Sequence, residues 1–545
     1  MTGPDGPAGS GAAAPALEGR MARDTVVVTV CTLFSRLTGF VRVVVAAAVL
    51  SNGPLGDTYH AANMIPNLVF ELVAGGVLQA VLVPSFVAAR RERGDDGLGR
   101  ATGVVAGGLV LVLAAIAAVV MALSPLVAWA LTALGDDPAL VADKRRLMVP
   151  MLLVFVPQIV FYGIGMVTTA ALSARGRFAA AALAPAVNNV VVISCYLGFR
   201  AARDGAPASL HLDGLQFALL AGGTTLAVIA FTAVPGVVLA SQGVRWRPVW
   251  APRDPIVAPL RGTIGWAMLS VMGTLVPMGA AMVLGSGAAG GVAVFSLSFT
   301  FFVLPHALLA VPVATALAPR VADTWQRGRT DETSELVDRS LQVVLPLLGL
   351  GAAGLAALSW PIAHVVSTIG QAGSQGPAPI AHTIAVFGLG LVGYGVAVIM
   401  MRVMYGLDRV RETAQLVIVS ALVGVVVMAI ASELIADADR AAALAVGYGA
   451  AQTVTAVLLS VRARRIVGAP RESSTGRVVV GGAVAASAAF VVMTVVQGRF
   501  GDTRVQALAA IVVAGLAGVA VFVAVLVPLG GVRPSALLRR GAARG

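Results

Sequence analysis

Two arginines in an apolar stretch are the residues of this sequence best suited to bind a ligand. Arg36 lies near the middle of the apolar run 25–50, and Arg42 lies six residues further along. A guanidinium group donates two parallel hydrogen bonds to a phosphate group and stays charged at any physiological pH. The pair therefore predicts an anion-binding site inside an apolar layer.

Acidic and amide side chains accompany these arginines. Glu71 and Asn67 lie within the next apolar run, 58–88, and Asp57 lies just before it. A charge at the centre of a bilayer costs at least about 2.5–3.5 kcal/mol, so these side chains must face protein or water. Two interpretations stay open. One is an Arg36–Glu71 ion pair that fixes two helices together, and the other is a water-filled cavity whose guanidinium groups bind an anion.

Other site chemistries find less support in the sequence. The five histidines have no metal-ligand spacing, so His60 and His306 are expected to pack or to line the cavity. The sequence contains no GxxxxGKS or GxxxxGKT loop, so no nucleotide site is predicted. Cys31 and Cys195 lie in apolar runs, which predicts buried free thiols. We therefore expect neither a metal nor a cofactor.

The composition describes the elements that must hold these residues. Of 545 residues, 58% are hydrophobic and 12% are charged, and the mean hydropathy is +0.90. A soluble domain carries roughly 25% charged residues, so this composition predicts an all-α polytopic membrane protein. The net charge of +12 lies in short clusters without interleaved aromatic residues, so nucleic-acid binding is not expected.

Each spanning helix needs about 20 mainly apolar residues. By that measure about fourteen spans are predicted, at residues 25–50, 58–88, 101–134, 147–174, 179–199, 212–241, 256–286, 290–319, 337–367, 379–406, 413–435, 441–461, 477–498 and 505–529. Arginine-rich loops alternate with arginine-poor loops. This positive-inside pattern predicts that both termini lie in the cytoplasm, and the Ala- and Arg-rich composition suggests a bacterial source.

Weak internal repetition divides these spans. The second span ends in VPSFVAARRERG and the eighth ends in APRVADTWQRG, which predicts two six-helix lobes at 25–241 and 256–461. The pair of spans at 477–529 is appended to them. Pro66 and Pro305 lie mid-span, one in each lobe, and are candidate hinges. Residues 1–24 are predicted to be a disordered tail, and residues 530–545 a basic cytoplasmic tail.

One long block of the sequence resembles a known family. Residues 34–86, FSRLTGFVRVVVAAAVLSNGPLGDTYHAANMIPNLVFELVAGGVLQAVLVPSF, resemble the opening of the MurJ/MviN lipid II flippases, in the multidrug/oligosaccharidyl-lipid/polysaccharide exporter superfamily. The shared pieces are SRxxGFxR, GDxY, IPN, GGxLxA and VPxF, in that order. Residues 171–191, 304–323 and 404–414 resemble later family segments in the expected order.

The resemblance implies a fold and an activity. It implies fourteen helices, with two six-helix lobes in a V around a cationic cavity and a terminal pair that forms a groove for a polyprenyl tail. It implies alternating-access transport of undecaprenyl-pyrophosphate-linked disaccharide pentapeptide, a peptidoglycan precursor, to the outer leaflet of the bacterial cytoplasmic membrane. Arg36 and Arg42 are then expected at the pyrophosphate and Asp57 in gating. Implied partners are the lipid bilayer and proteins of cell-wall synthesis and division.

The sequence departs from the family pattern at three places. Thr300 stands where studied members carry an arginine before Pro305, and Phe70 and Glu71 stand where they carry basic residues. The seventh span, 256–286, contains no carboxylate, which argues against sodium coupling. Two alternatives therefore stay open: an exporter of another lipid-linked glycan or drug, and a membrane scaffold for cell-wall synthesis that transports nothing.

Overall fold

The computed structural model is built from helices. It describes residues 13–529 except residues 75–76, 136, 205, 371–372, 374, 469–474 and 502, and no strand occurs in that part of the chain. Thirteen helical stretches of the described residues are long and apolar enough to cross a membrane. The predicted all-α polytopic membrane fold is confirmed.

The first half of the chain forms nine α-helices. They are α1 (Ala13–Leu50), α2 (Pro54–Ala74), α3 (Val77–Ala122), α4 (Ser124–Ala130), α5 (Pro138–Phe155), α6 (Gln158–Ala174), α7 (Ala179–Ala201), α8 (Gly214–Phe217) and α9 (Gly223–Ser241). A π-helical turn, Ala218–Gly222, joins α8 to α9.

The second half continues the same plan. Its helices are α10 (Ala258–Gly285), α11 (Gly291–Gln326), α12 (Thr330–Ala357), α13 (Ser359–Ser367), α14 (Ala378–Gly406), α15 (Val410–Leu434) and α16 (Arg440–Val467). The appended pair is α17 (Thr475–Gln497) and α18 (Arg504–Leu526).

The N-terminal boundary differs from the prediction. Helix α1 begins at Ala13, so the predicted disordered tail 1–24 is wrong over residues 13–24, where an alanine-rich sequence favours helix. Residues 1–12 and the predicted basic tail 530–545 lie outside the described residues.

The predicted second span, 58–88, is formed by α2 and the beginning of α3. Helix α2 is not among the thirteen apolar stretches, because Asp57, Asn67 and Glu71 make it polar. It nevertheless packs against α5, α6 and α11 inside the bundle. Helix α3 turns at Gly94, whose φ of +61° suits glycine, and continues as the third span.

Helix α5 extends further than predicted. It begins at Pro138, whereas the prediction began at residue 147. The Asp137 carboxylate accepts a hydrogen bond from the Ala139 amide at 2.9 Å and so caps the helix, and Pro138 fits its first turn. Lys144, which the sequence places in a loop, is therefore on a helix.

The two lobes repeat one packing pattern. In the N lobe, defined as α1–α9, the close pairs are α1–α7, α3–α6, α6–α9 and α7–α9. In the C lobe, defined as α10–α16, the equivalent pairs are α10–α15, α12–α14, α14–α16 and α15–α16. Helix α17 packs on α12 and α18, so the chain divides into six, six and two spans. This repetition agrees with the internal repeat read from the sequence.

The lobes meet mainly through α1–α3 on one side and α10 and α11 on the other. Residues 46–50 at the end of α1 are buried, whereas Val30, Leu33 and Leu37 are 59%, 65% and 60% exposed. The end of α1 is therefore covered by the rest of the protein, and the first half of α1 is less covered.

Candidate functional site: an inter-lobe cavity and its closed end

Asp57 joins the two lobes where they close. Its Oδ2 accepts hydrogen bonds from the Gly290 amide at 2.8 Å and from Lys144 Nζ at 3.4 Å, and its Oδ1 accepts from the Ala293 amide at 2.9 Å. The exposed fractions of Asp57 and Lys144 are 3% and 5%. Free amides and the positive dipole end of a helix favour a carboxylate at the start of α11. We call these four residues the Asp57 latch.

The backbones around the latch are in close contact. Gly290 has a φ of +79°, and a Cβ added there would lie 2.2 Å from the Asn52 carbonyl oxygen, so only glycine fits. A Cβ on Gly370 would lie 2.4 Å from the carbonyl oxygen of Ala48 at the end of α1. Gln375 Nε2 donates to the Ala289 carbonyl at 2.6 Å. Both lobes therefore seal this end of the space between them.

The latch changes the roles expected of two residues. The sequence groups Asp57 with the cavity residues, whereas the structure buries it in the latch, and its role in gating stays a prediction. Lys144 precedes the predicted fourth span, 147–174, and the sequence does not predict its pairing with Asp57. A signal was present, because Lys144 is the one lysine of a chain that otherwise uses arginine.

The two arginines of α1 differ in their surroundings. Arg36 is exposed, and its charge acts on the imidazole of His306 on α11, across the lobe boundary. Arg42 is half-buried in the N lobe. With the Asn188 amide oriented so that its nitrogen donates to the Ala227 carbonyl, its oxygen accepts from Arg42 Nη1 at 3.2 Å. Arg42 is thus held within its lobe, whereas Arg36 faces the C lobe.

Glu71 and Asn67 are the exposed polar residues of α2. Asn67 Oδ1 accepts a hydrogen bond from the Tyr162 hydroxyl at 3.3 Å. The charge of Glu71 acts on Tyr394 and Tyr448, which belong to α14 and α16 of the C lobe. Glu71 therefore faces the space between the lobes.

The structure bears on one of the two interpretations of these charges. Among the ion pairs of the described residues, none joins Arg36 to Glu71. Both side chains are exposed, and each acts electrostatically on residues of the C lobe. An anion-binding cavity at Arg36 stays a prediction.

Neighbouring residues complete the walls. The buried His306 ring packs on Tyr394 with 4.1 Å between ring centroids, as the packing interpretation expected. Asn189 Nδ2 donates to the Ser35 carbonyl and to Thr38 Oγ1, both at 3.2 Å, and so joins α7 to α1. The Thr300 hydroxyl donates to the carbonyl of its own helix at Ser296.

The remaining site predictions concern metals and hinges. Within the described residues, no group of three or more His, Cys, Asp or Glu side chains could hold a metal ion. Pro66 and Pro305 lie inside α2 and α11, on either side of the lobe boundary. Their role as hinges stays a prediction.

Comparison with known proteins gives consistent matches. The family model described as lipid II flippase MurJ matches residues 46–525. A probable lipid II flippase MurJ of Rhizobium tropici is 29% identical over 67% of this chain and 66% of its own length, slightly under two thirds. The lipid II flippase MurJ of Burkholderia cenocepacia is 24% identical over 80% of this chain and 82% of its own.

Solved structures match the fold. A structure of lipid II flippase MurJ in an inward closed conformation matches with a TM-score of 0.71 at 17% identity, covering 92% of this chain and 100% of that one. An inward-facing multidrug resistance MATE family transporter of the MOP superfamily matches with a TM-score of 0.62 at 13% identity, covering 81% and 98%. At such low sequence identities these matches show similarity of fold alone.

Proposed function

The chain belongs to the lipid II flippase MurJ family, and from that premise we propose that it moves lipid II from the inner to the outer leaflet of the bacterial cytoplasmic membrane. The observation that carries the proposal is Arg36, a guanidinium without an ion-pair partner among the described residues that faces the other lobe in a space sealed at one end by the Asp57 latch. Such a site suits the pyrophosphate of a lipid-linked sugar, because the guanidinium fork matches phosphate oxygens.

The orientation follows from the distribution of arginines. From the positive-inside pattern we infer that both termini lie in the cytoplasm and that the Asp57 latch lies toward the outside. The structure then corresponds to a state closed to the outside. The pyrophosphate enters from the cytoplasmic side and binds Arg36 and Arg42, while the polyprenyl tail stays in lipid along the groove of α17 and α18.

Transport then requires the closed end to open. Breaking the contacts of Asp57 with Lys144 and with the start of α11 frees the C lobe to rock away from the N lobe. Pro66 and Pro305 are the proposed hinges, since each lies within a helix that faces the boundary. The pyrophosphate leaves to the outer leaflet and no covalent bond changes, so the protein acts as a transporter.

The distribution of charged residues also bears on sodium coupling and on the alternative of a scaffold that transports nothing. Span 7 contains no carboxylate, so we propose no sodium site there. A scaffold that transports nothing has no use for an unpaired Arg36 between its lobes, because such a charge costs stability. Proteins of cell-wall synthesis and division are the proposed partners, since they use the transported lipid.

Replacement of a host's own lipid II flippase tests the proposal. Outer-leaflet lipid II is measured in cells that carry the wild type, Arg36→Ala or Arg42→Ala. Each variant loses a charge-assisted phosphate contact of about 1.5–3 kcal/mol, so flipping is expected to fall about 10- to 100-fold. Arg327→Ala is the matched control, because Arg327 is exposed and pairs with Asp323 on its own helix.

Two results would contradict the proposal. One is flipping that continues at the wild-type rate in both cavity variants. The other is purified wild-type protein that moves no lipid II in vesicles.

A further inference from the structure

The cavity contains charges of opposite sign that have no ion-pair partner among the described residues. Arg36 and Glu71 are both exposed and belong to no ion pair there, and the half-buried Arg42 has the neutral Asn188 amide, in its flipped orientation, as its partner. Unpaired charges are tolerated in a membrane protein while water fills the space around them. They become costly as soon as that space closes and the water leaves.

The two charges act on one cluster of rings in the C lobe. His306 on α11 and Tyr394 on α14 form a ring stack with 4.1 Å between centroids. Arg36 acts on the His306 side of this stack, and Glu71 acts on Tyr394 and on the adjacent Tyr448. The guanidinium and the carboxylate therefore both act on this ring pair, and within the described part of the chain neither is held in a salt bridge.

Among the described side chains of the surrounding helices, Arg36 has few possible counterions. The cavity is faced by α1 and α2 of the N lobe and by α11, α14 and α16 of the C lobe. Where the structure describes the side chains of these helices, the carboxylates other than Glu71 are Asp57, which the latch holds, and Asp323 near the end of α11, which pairs with Arg327. Glu71 is thus the carboxylate available to Arg36.

Alternating access requires an anion for Arg36 in one of its two half-cycles. While the carrier moves its substrate outward, the pyrophosphate neutralises the guanidinium groups as the cavity closes. While the empty carrier returns, closing the cavity would leave Arg36 dehydrated without an anion. A carrier that has no internal anion therefore returns faster with substrate bound than without it.

Building on the proposed function, we propose that Glu71 is the counterion of the empty carrier. Its carboxylate pairs with Arg36 after the lipid-linked diphosphate leaves, which allows the empty lobes to close and return. The next diphosphate displaces Glu71 from Arg36 on the cytoplasmic side. Glu71 is thus a positioning residue that makes the protein a net transporter instead of an exchanger.

This role separates net transport from exchange. Without the carboxylate, the empty return is slow, but substrate-bound lobes still move in both directions. Glu71→Gln is therefore expected to lower net flipping about tenfold or more and to leave substrate–substrate exchange within about twofold of the wild type. It should also bind the diphosphate more tightly, because a like charge has been removed from the cavity.

The experiment uses the full chain in vesicles with fluorescent lipid II as the probe. Net flipping is measured with unlabelled lipid II absent from the opposite leaflet, and exchange is measured with it present. Glu71→Asp keeps the charge and is expected to retain net flipping. Glu433→Gln is the matched control, because Glu433 is an exposed glutamate near the end of α15.

Each outcome has one meaning. Loss of net flipping with exchange retained supports the proposal, and the retained exchange shows that the variant is folded. Equal loss of both modes, or no change in either, overturns the role of Glu71 and leaves the proposed function standing. Wild-type protein that performs neither mode overturns the proposed function and this inference with it.

Discussion

Asp57→Asn removes the charge of the latch and preserves the size of the side chain. In the wild type one carboxylate accepts two backbone N–H groups, at 2.8 and 2.9 Å, and pairs with Lys144 at 3.4 Å. An amide has one acceptor oxygen, and its NH₂ group would face donors in the same pocket. The variant also leaves the buried Lys144 ammonium without its anion.

The magnitude follows from the burial of the pair. Removing one partner of a buried ion pair costs about 3–5 kcal/mol, because the other charge stays buried and uncompensated. Every 1.4 kcal/mol is a factor of ten, so the ratio of closed to open molecules should fall by a factor on the order of a hundred to several thousand. The cost affects only the conformation in which the latch is formed.

Paired spin labels measure this shift. With Cys31 and Cys195 replaced by serine, labels are attached to cysteines introduced at Leu134 of the N lobe and Thr368 of the C lobe. Both positions are exposed and lie near the latch end. Pulsed electron paramagnetic resonance should give one short distance between the two labels for the wild type and a longer distance for Asp57→Asn.

Two further variants make the result decisive. Asp143→Asn changes the partly exposed Asp143–Arg146 pair of α5 and should leave the distance unchanged. Adding Lys144→Met to Asp57→Asn should restore part of the short distance, since no buried charge then remains unpaired. A distance distribution for Asp57→Asn that is identical to that of the wild type would refute the reasoning.

Two other predictions test the packing that supports the cavity. Gly103→Leu should detach the segment that links the lobes from α3, because a Cβ there would lie 2.3 Å from a linker carbonyl oxygen. Faster hydrogen exchange at residues 244–250 would show this, and Gly108→Leu, with open space around it, should have no effect. Asp338→Ala removes the acceptor of a 2.6 Å hydrogen bond from Thr475 and should weaken the docking of α17 on α12 by about 1–3 kcal/mol. Thermal unfolding measures this loss of stability. A midpoint temperature for Asp338→Ala equal to that of the exposed-site control Glu335→Ala would contradict the prediction.

The fold was largely predictable from local sequence. A bilayer about 30 Å thick needs helices of about 20 apolar residues, so the runs of this sequence indicate both the fold class and most of the spans. Errors arose where a span is polar or irregular. Helix α2 is polar along one face, and α5 begins at Pro138 because Asp137 caps it outside the apolar run.

Part of the site was predictable for the same reason. Arg36 and Glu71 are conspicuous in the sequence because a charge in a membrane span is costly wherever it lies. Their types indicate an anion site, and the structure places both in the space between the lobes. Whether they pair with one another depends on the direction in which each helix turns its side chains, which the sequence does not specify.

The sequence by itself determined that the chain spans the membrane as helices, where most of those helices lie and that charges such as Arg36 and Glu71 lie within them. Tertiary structure alone decided the partners of those charges. Asp57 meets Lys144 from 87 positions away and the Gly290 amide from 233 positions away. Local hydropathy reports the cost of burying a charge, but the group that offsets the cost lies on another helix, and only the packing of the two lobes brings them together.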